Sequence, residues 1–238
     1  MQRQLQGILY YLATDIRYAF TIFWMIIGSF LLLSLMINLI IGNENSVVHF
    51  TFSFPIYIFS AAAGFITVKN TIPYLVKMGA TRKVIYISTV IFFIGLALVN
   101  SLIANGLDFL IRQILKSDVS SGIFLIEGEK TIQFNHIADI LGGNNYLYQI
   151  IVDTSISFFF LTVLFIIGLV FYRFGLIGGF SFVGIVIFSI IFGLANGWII
   201  DFLLHISTDF SIVFFYQLAF VGFVIYLFSY LLLRRLTI

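Results

Sequence analysis

The sequence predicts an all-α polytopic membrane protein with six transmembrane helices, and two observations carry that prediction. Six apolar runs reach or nearly reach the roughly 20 residues that cross a bilayer as a helix. They cover residues 18–41, 50–68, 84–107, 148–172, 174–200 and 210–233. No run has a charged residue near its middle, and a chain that is 61% hydrophobic and 9% charged would aggregate in water.

The basic residues predict which side of the membrane each connection faces. With the N-terminus in the cytoplasm, nine of the twelve Lys and Arg residues fall on the inner side, and only Arg112, Lys116 and Lys130 fall outside. Among the ten acids, only Asp15 then lies inside. Because Lys and Arg concentrate in short cytoplasmic loops, we expect both termini to be cytoplasmic. The whole chain, residues 1–238, is predicted to form a single transmembrane domain.

The segment before the first run has an amphipathic pattern. Apolar residues recur at helical spacing at Leu5, Ile8, Leu9, Leu12 and Ile16. Residues 1–17 are therefore predicted to form a separate helix that lies in the inner membrane interface. The alternative is that these residues simply extend the first span.

Residues 69–83, between the second and third runs, form the main cytoplasmic loop. Thr71 is suited to cap a short helix, Pro73 is tolerated in its first turn, and Gly79 can end it in the left-handed conformation. Thr81 can then cap the third span. Ordinary anchoring explains the flanking positive charges but not a capped helix, so we expect this loop to dock against a partner.

Residues 108–147 form the largest external connection. An amphipathic helix is predicted to continue into it from the third span, with apolar residues at Phe109, Ile111, Ile114 and Leu115. Residues 122–126 and 131–134 flank a run of turn residues, which predicts a small hairpin. Asn135 is suited to cap a short helix that ends at the following glycines. Because a loop this long with its own structural signals is usually functional, we predict a compact external cap between spans three and four.

Spans four and five are predicted to join through a very tight turn at residues 173–175. The fifth run contains two G-x-x-x-G spacings, Gly175/Gly179 and Gly193/Gly197, for which internal packing is favoured over a dimer face. Past Asn196 the run is expected to break into a short re-entrant region. The residues of that region are Asn196, Gly197, Asp201 and Asp209.

Several chemistries have no residues to support them. The chain has no cysteine and lacks the H-E-x-x-H, G-x-S-x-G and P-loop patterns, so we expect neither an enzyme nor a nucleotide-binding chain. The three histidines share no metal-ligand spacing. No nucleic-acid partner is expected. Polar residues within the spans, such as Asn38, Asn100, Asn105, Asn196 and Gln217, favour interhelical hydrogen bonds over a conduction path.

The architecture resembles the permease subunit of a type-2 ABC exporter of the small bacterial six-span kind. The resemblance rests on the N-terminal amphipathic helix, the six spans, the capped cytoplasmic helix and the stretch Met78-Gly79-Ala80-Thr81-Arg82-Lys83, which is similar to a G-x-[ST]-R-[KR] pattern. It implies that residues 69–83 are the coupling loop, which inserts into a groove on a separate ATPase. The contact residues it implies are Thr71, Pro73, Tyr74, Lys77, Gly79, Arg82 and Lys83.

The resemblance also implies partners and a location. We expect a P-loop ATPase subunit that binds ATP and magnesium, a second permease copy or paralogue, and a bacterial plasma membrane. The substrate would be apolar or amphipathic, and an antimicrobial peptide or a lipid-like compound fits that description. The alternative is a non-enzymatic immunity or sensor protein that binds a peptide through its external loop. An ion-coupled carrier is disfavoured, because the span centres lack ionisable residues.

Overall fold

The computed structural model describes residues 2–40, 47–114, 123–126, 130–134, 145–201 and 212–234. The helices are α1 (Gln2–Ile40), α2 (Ser53–Ile66), α3 (Ile72–Lys77), α4 (Arg82–Ile114), α5 (Tyr146–Ala195) and α6 (Ile212–Arg234). A π-helical turn (Thr67–Thr71) lies between α2 and α3. The strands are β1 (Val47–Phe50), β2 (Ile123–Ile126) and β3 (Lys130–Phe134).

Within these described ranges, four helices are long and apolar enough to cross a membrane: α1, α4, α5 and α6. Their ends fall within a few residues of the apolar runs, apart from the N-terminal part of α1 and the C-terminal extension of α4. The chain is therefore a helical membrane protein.

The second apolar run folds as one continuous helical stretch with an irregularity in it. The α2 helix, the π turn and α3 follow one another without a gap from Ser53 to Lys77. The stretch begins three residues after the start of the second apolar run at residue 50 and ends nine residues after the end of that run at residue 68. The π turn divides it, so that α2 alone has only 14 residues.

The helix α5 contains a sharp bend at Gly175, where φ is 72° and ψ is −175°. The rings of Phe171 and Phe180 lie 5.3 Å apart on either side of it. In a straight helix, nine residues would separate them by about 13.5 Å along the axis. The chain thus bends within the predicted segment 173–175, at one residue with a backbone conformation that glycine adopts readily.

The prediction of a separate interfacial helix at residues 1–17 is wrong in one respect. Those residues belong to α1, a single helix of 39 residues that is about 58 Å long at 1.5 Å per residue. The predicted apolar stripe also faces protein: Ile8 and Leu12 are buried in one cluster with Ile72, Leu75 and Val84. The stripe is satisfied by packing against α3 and α4, so the helix has no need to break at the membrane surface.

The first half of α5 is the centre of the bundle and packs against α2, α4 and α6. Glycines let backbones approach there, as in other membrane bundles. A Cβ added at Gly64 of α2 would overlap the backbone of Leu161, and one added at Gly168 would lie 3.0 Å from Val68 Cγ2. Of the G-x-x-x-G glycines, Gly179 packs against Phe171 and Gly193 against Ile199, whereas a Cβ added at Gly175 or Gly197 would meet nothing within 4 Å.

A three-stranded sheet in the order β1-β3-β2 links two connections that are distant in sequence. The β2 and β3 strands pair antiparallel, with Ile126 opposite Lys130, where the sequence predicts a hairpin. The parallel pairing of β1 with β3 was not predicted. The short helix predicted after Asn135 lies outside the described residues.

Candidate functional site

The start of the 69–83 segment differs from the prediction. Thr71 is helical, with φ −85° and ψ −44°, and its side chain makes no capping hydrogen bond. Its hydroxyl instead donates to Asp15 Oδ2 at 2.8 Å. The predicted cap at Thr71 is wrong because the helix does not begin there: it continues from α2 through the π turn. Pro73 stands in the first turn of α3, as predicted.

The end of the segment agrees with the prediction. Gly79 has φ +80°. Its N–H donates to Val76 O at 3.0 Å, and the Ala80 N–H donates to Leu75 O at 3.1 Å. These two bonds define a Schellman motif, which ends a helix in one fixed geometry. The Ile85 N–H then bonds to Thr81 O, which places Thr81 at the start of α4.

The predicted contact residues of this segment divide into two groups. Thr71 is buried and Pro73 is half-buried. The remaining predicted residues are exposed, and they are Tyr74, Lys77, Gly79, Arg82 and Lys83. Met78, which the prediction left out, is 66% exposed beside them, and Tyr74 is 45% exposed. The segment therefore presents a mixed apolar and basic surface.

The N-terminal part of α1 packs against this segment. The rings of Tyr11 and Tyr74 stack with centroids 4.9 Å apart. The Asp15–Thr71 hydrogen bond lies one helical turn further along α1. Sequence reasoning missed this contact, although the apolar stripe at Ile8 and Leu12 was the signal for a buried face.

The second predicted site begins with a break in the helix. The α5 helix ends at Ala195, Gly197 has φ +80°, and helical residues resume at 198 and continue to 201, the last described residue before 212. Asn196 Nδ2 donates to Phe192 O of its own helix at 2.8 Å, and no interhelical bond of Asn196 is seen among the described residues. Asp201 is exposed. Asp209 lies outside the described residues.

A buried polar cluster was not predicted as a site. Asp153 of α5 is 1% exposed and lies about 10 Å along the helix from Tyr146. Its Oδ1 accepts a hydrogen bond from Tyr57 Oη at 2.7 Å, and its Oδ2 accepts one from Asn105 Nδ2 at 2.9 Å. The cluster joins α2, α4 and α5. Asn105 thus forms an interhelical hydrogen bond, as favoured above.

In the part of the chain that the structure describes, no group of three or more His, Asp or Glu side chains is arranged to hold a metal ion. No family model, no curated protein and no solved structure matches the chain.

Proposed function

We propose that the chain is the membrane-spanning subunit of an ATP-driven exporter, which moves an apolar or amphipathic substrate by alternating access. The observation that carries this proposal is the Schellman stop at Gly79 beside the exposed side chains of Tyr74, Lys77 and Met78. A separate ATPase would bind these side chains and supply ATP and magnesium. A second permease copy or paralogue would complete the transporter.

The proposed topology has six spans. The helical stretch from Ser53 to Lys77 has the length of a span, and the bend at Gly175 divides α5 into two. Together with α1, α4 and α6, the Ser53–Lys77 stretch and the two parts of α5 make six spans. The distribution of Lys and Arg favours cytoplasmic termini in a bacterial plasma membrane. The paired strands β1, β2 and β3 would then belong to an external cap.

The proposed mechanism transmits movement through the 69–83 segment. A helix docked on an ATPase can displace spans two and three as rigid bodies only if its angle to them is fixed. The Schellman motif fixes the angle toward α4, and the continuous helical stretch fixes it toward α2. The contacts of Tyr11 and Asp15 brace the same segment against α1.

A co-purification experiment tests this proposal. The tagged chain, extracted from its native membrane, should retain a P-loop ATPase whose activity rises on association. Arg82→Glu reverses an exposed charge on the segment and should reduce the amount of retained ATPase about tenfold, because mismatched interface charges disfavour association. Arg3→Glu, a reversal at an exposed position on α1, is the matched control and should retain the ATPase. Absence of any ATPase from the unaltered chain's complex would refute the proposal.

A peptide-binding immunity or sensor protein is the second candidate, and the sheet favours it. In the proposed topology, the β1 strand lies between spans one and two, and β3 lies between spans three and four. Because these strands pair, the two external connections would form a single unit able to recognise a ligand. Deletion of residues 122–143 should leave membrane insertion intact and abolish peptide resistance or binding. Unchanged resistance in the deletion would remove this candidate.

A further inference from the structure

A groove with a cavity volume of about 520 Å³ lies between α1 and the helical stretch from Ser53 to Lys77. This volume falls in the range of small-molecule sites, about 300–1,000 Å³. Its wall on α1 runs from Leu12 to Ile26, and its opposite wall runs from Phe59 to Thr71. Phe92 of α4 contributes to the lining.

The groove is polar at one end and apolar along the rest of its length. Asp15 meets Asn70 and Thr71, the start of the 69–83 segment, at the polar end. From Asp15 to Ile26 the α1 wall extends about 16 Å, which is about half the roughly 30 Å thickness of the hydrocarbon core. A ligand whose head lies at Asp15 would therefore extend its tail to about the bilayer centre.

The charge of the groove selects the head group. Asp15 is the single charged residue in its lining, and no Lys or Arg is among the described residues that line it. The Asp15 carboxylate binds the Thr71 hydroxyl through Oδ2, and α1 leaves the acid exposed. A primary ammonium has three donors and no acceptor, so it complements a carboxylate surrounded by hydroxyl and amide oxygens.

We propose that this groove binds a single-chain amphiphile with a primary ammonium head. The ammonium pairs with Asp15, and the alkyl chain lies between Ile22 and Ile26 of α1 and Ala62 and Ile66 of α2. The placement of this head at the cytoplasmic surface rests on the proposed function. The binding site itself does not require an ATPase, so the two proposals fail separately.

Tryptophan quenching tests the proposal, because Trp24 is next to the groove. Its ring lies 5.6 Å from that of Phe23, a lining residue. The chain has two tryptophans, so Trp198→Phe leaves Trp24 as the reporter. The purified Trp198→Phe chain in zwitterionic lipid nanodiscs is titrated with ω-bromododecylammonium and, separately, with ω-bromododecanol. The ammonium probe should half-quench Trp24 at about tenfold lower concentration than the alcohol, a difference of about 1.4 kcal/mol, because a charge-assisted hydrogen bond is stronger than a neutral one.

Two further variants separate the head from the tail. Asp15→Asn still accepts the Thr71 hydroxyl but should abolish the preference for the ammonium probe, whereas Asp201→Asn, an exposed acid beyond Gly197, should retain it. Ala62→Leu fills the groove and should abolish saturable quenching by both probes. Three results would overturn the proposal. One is equal quenching of the Trp198→Phe chain by the two probes. The others are a preference for the ammonium probe that the Asp15→Asn chain keeps, and saturable quenching that the Ala62→Leu chain keeps.

Discussion

The Thr71 hydroxyl and the Asp15 carboxylate, 56 residues apart in sequence, form a hydrogen bond of 2.8 Å that connects α1 to the π turn. The bond involves an ionised acceptor, so it is stronger than one between neutral groups. It fixes the amphipathic start of α1 at the point where the second helical stretch becomes irregular. Its removal should therefore affect α1 more than the rest of the bundle.

Thr71→Val should loosen the N-terminal part of α1, because valine keeps the shape of threonine and removes the donor. Hydrogen exchange of the backbone amides of residues 5–15 should accelerate about tenfold, which corresponds to a bond of about 1.4 kcal/mol. Thr21→Val is the control, since Thr21 bonds only to Arg17 O of its own helix. Equal exchange in both variants would mean that the bond does not hold α1.

Gly79→Val should uncouple the 69–83 segment from a bound ATPase while leaving insertion intact. The residue has φ +80°, a conformation that is strongly disfavoured for a β-branched side chain. The Schellman stop should shift, and stimulation of the ATPase should fall about tenfold. Gly95→Val, in an α4 position where a Cβ meets nothing within 4 Å, is the matched control and should retain stimulation. Full stimulation of the ATPase by the Gly79→Val chain would place coupling elsewhere.

Asp153→Ala should destabilise the bundle, because it leaves the Tyr57 hydroxyl without its acceptor. It also removes the interhelical acceptor of the Asn105 amide, which keeps its bond to Ser101 O of its own helix. Each buried polar group that loses its partner costs about 1–3 kcal/mol. The midpoint of thermal unfolding in detergent should drop clearly relative to Asp201→Ala, which removes an exposed carboxylate. Identical midpoints for the two variants would show that the cluster contributes nothing to stability.

Gly64→Ala should separate α2 from α5, because the added Cβ would overlap the backbone of Leu161. Overpacking of this kind costs about 1–3 kcal/mol. Gly28→Ala, where a Cβ meets nothing within 4 Å, should be neutral or slightly stabilising through helix propensity. Unfolding midpoints of the two variants in the same detergent give the comparison, and a neutral Gly64→Ala would contradict the close approach.

Single-cysteine labelling tests the orientation, and the chain has no native cysteine to interfere. A cysteine at position 129 should react with an impermeant maleimide in intact cells. A cysteine at position 77 should react only after the cells are opened. The reverse pattern would invert the topology that the basic residues predict.

The helix positions could be predicted because each depends on a local property of the chain. Apolar length places α4, α5 and α6 to within a few residues, and the amphipathic pattern after the third run predicts the continuation of α4, which reaches Ile114. A glycine marks both stops, at Gly79 and at Gly197. Both glycines have positive φ, which glycine adopts readily because it has no Cβ. The position of a glycine can be read directly from the sequence.

The tertiary partners could not be predicted, because they depend on which faces meet. Nothing in the local sequence of Thr71 shows that its hydroxyl binds Asp15 rather than a helix terminus. Asp153 is near one end of an apolar run, where the sequence favours a solvated acid. In the structure it is buried and accepts hydrogen bonds from Tyr57 and Asn105. The π turn could not be predicted either, since residues 67–71 have no sequence feature that distinguishes them from an ordinary α-helical segment.

The bend at Gly175 has a mechanical consequence for any transport cycle. The two segments of α5 that meet at Gly175 share a connection of one residue, across which the rings of Phe171 and Phe180 lie 5.3 Å apart. Segments joined by a long loop can slide or tilt independently, whereas these two are expected to move together near the bend. On the proposed six-span topology, a substrate pathway would then form where this pair meets α6, α2 or another chain.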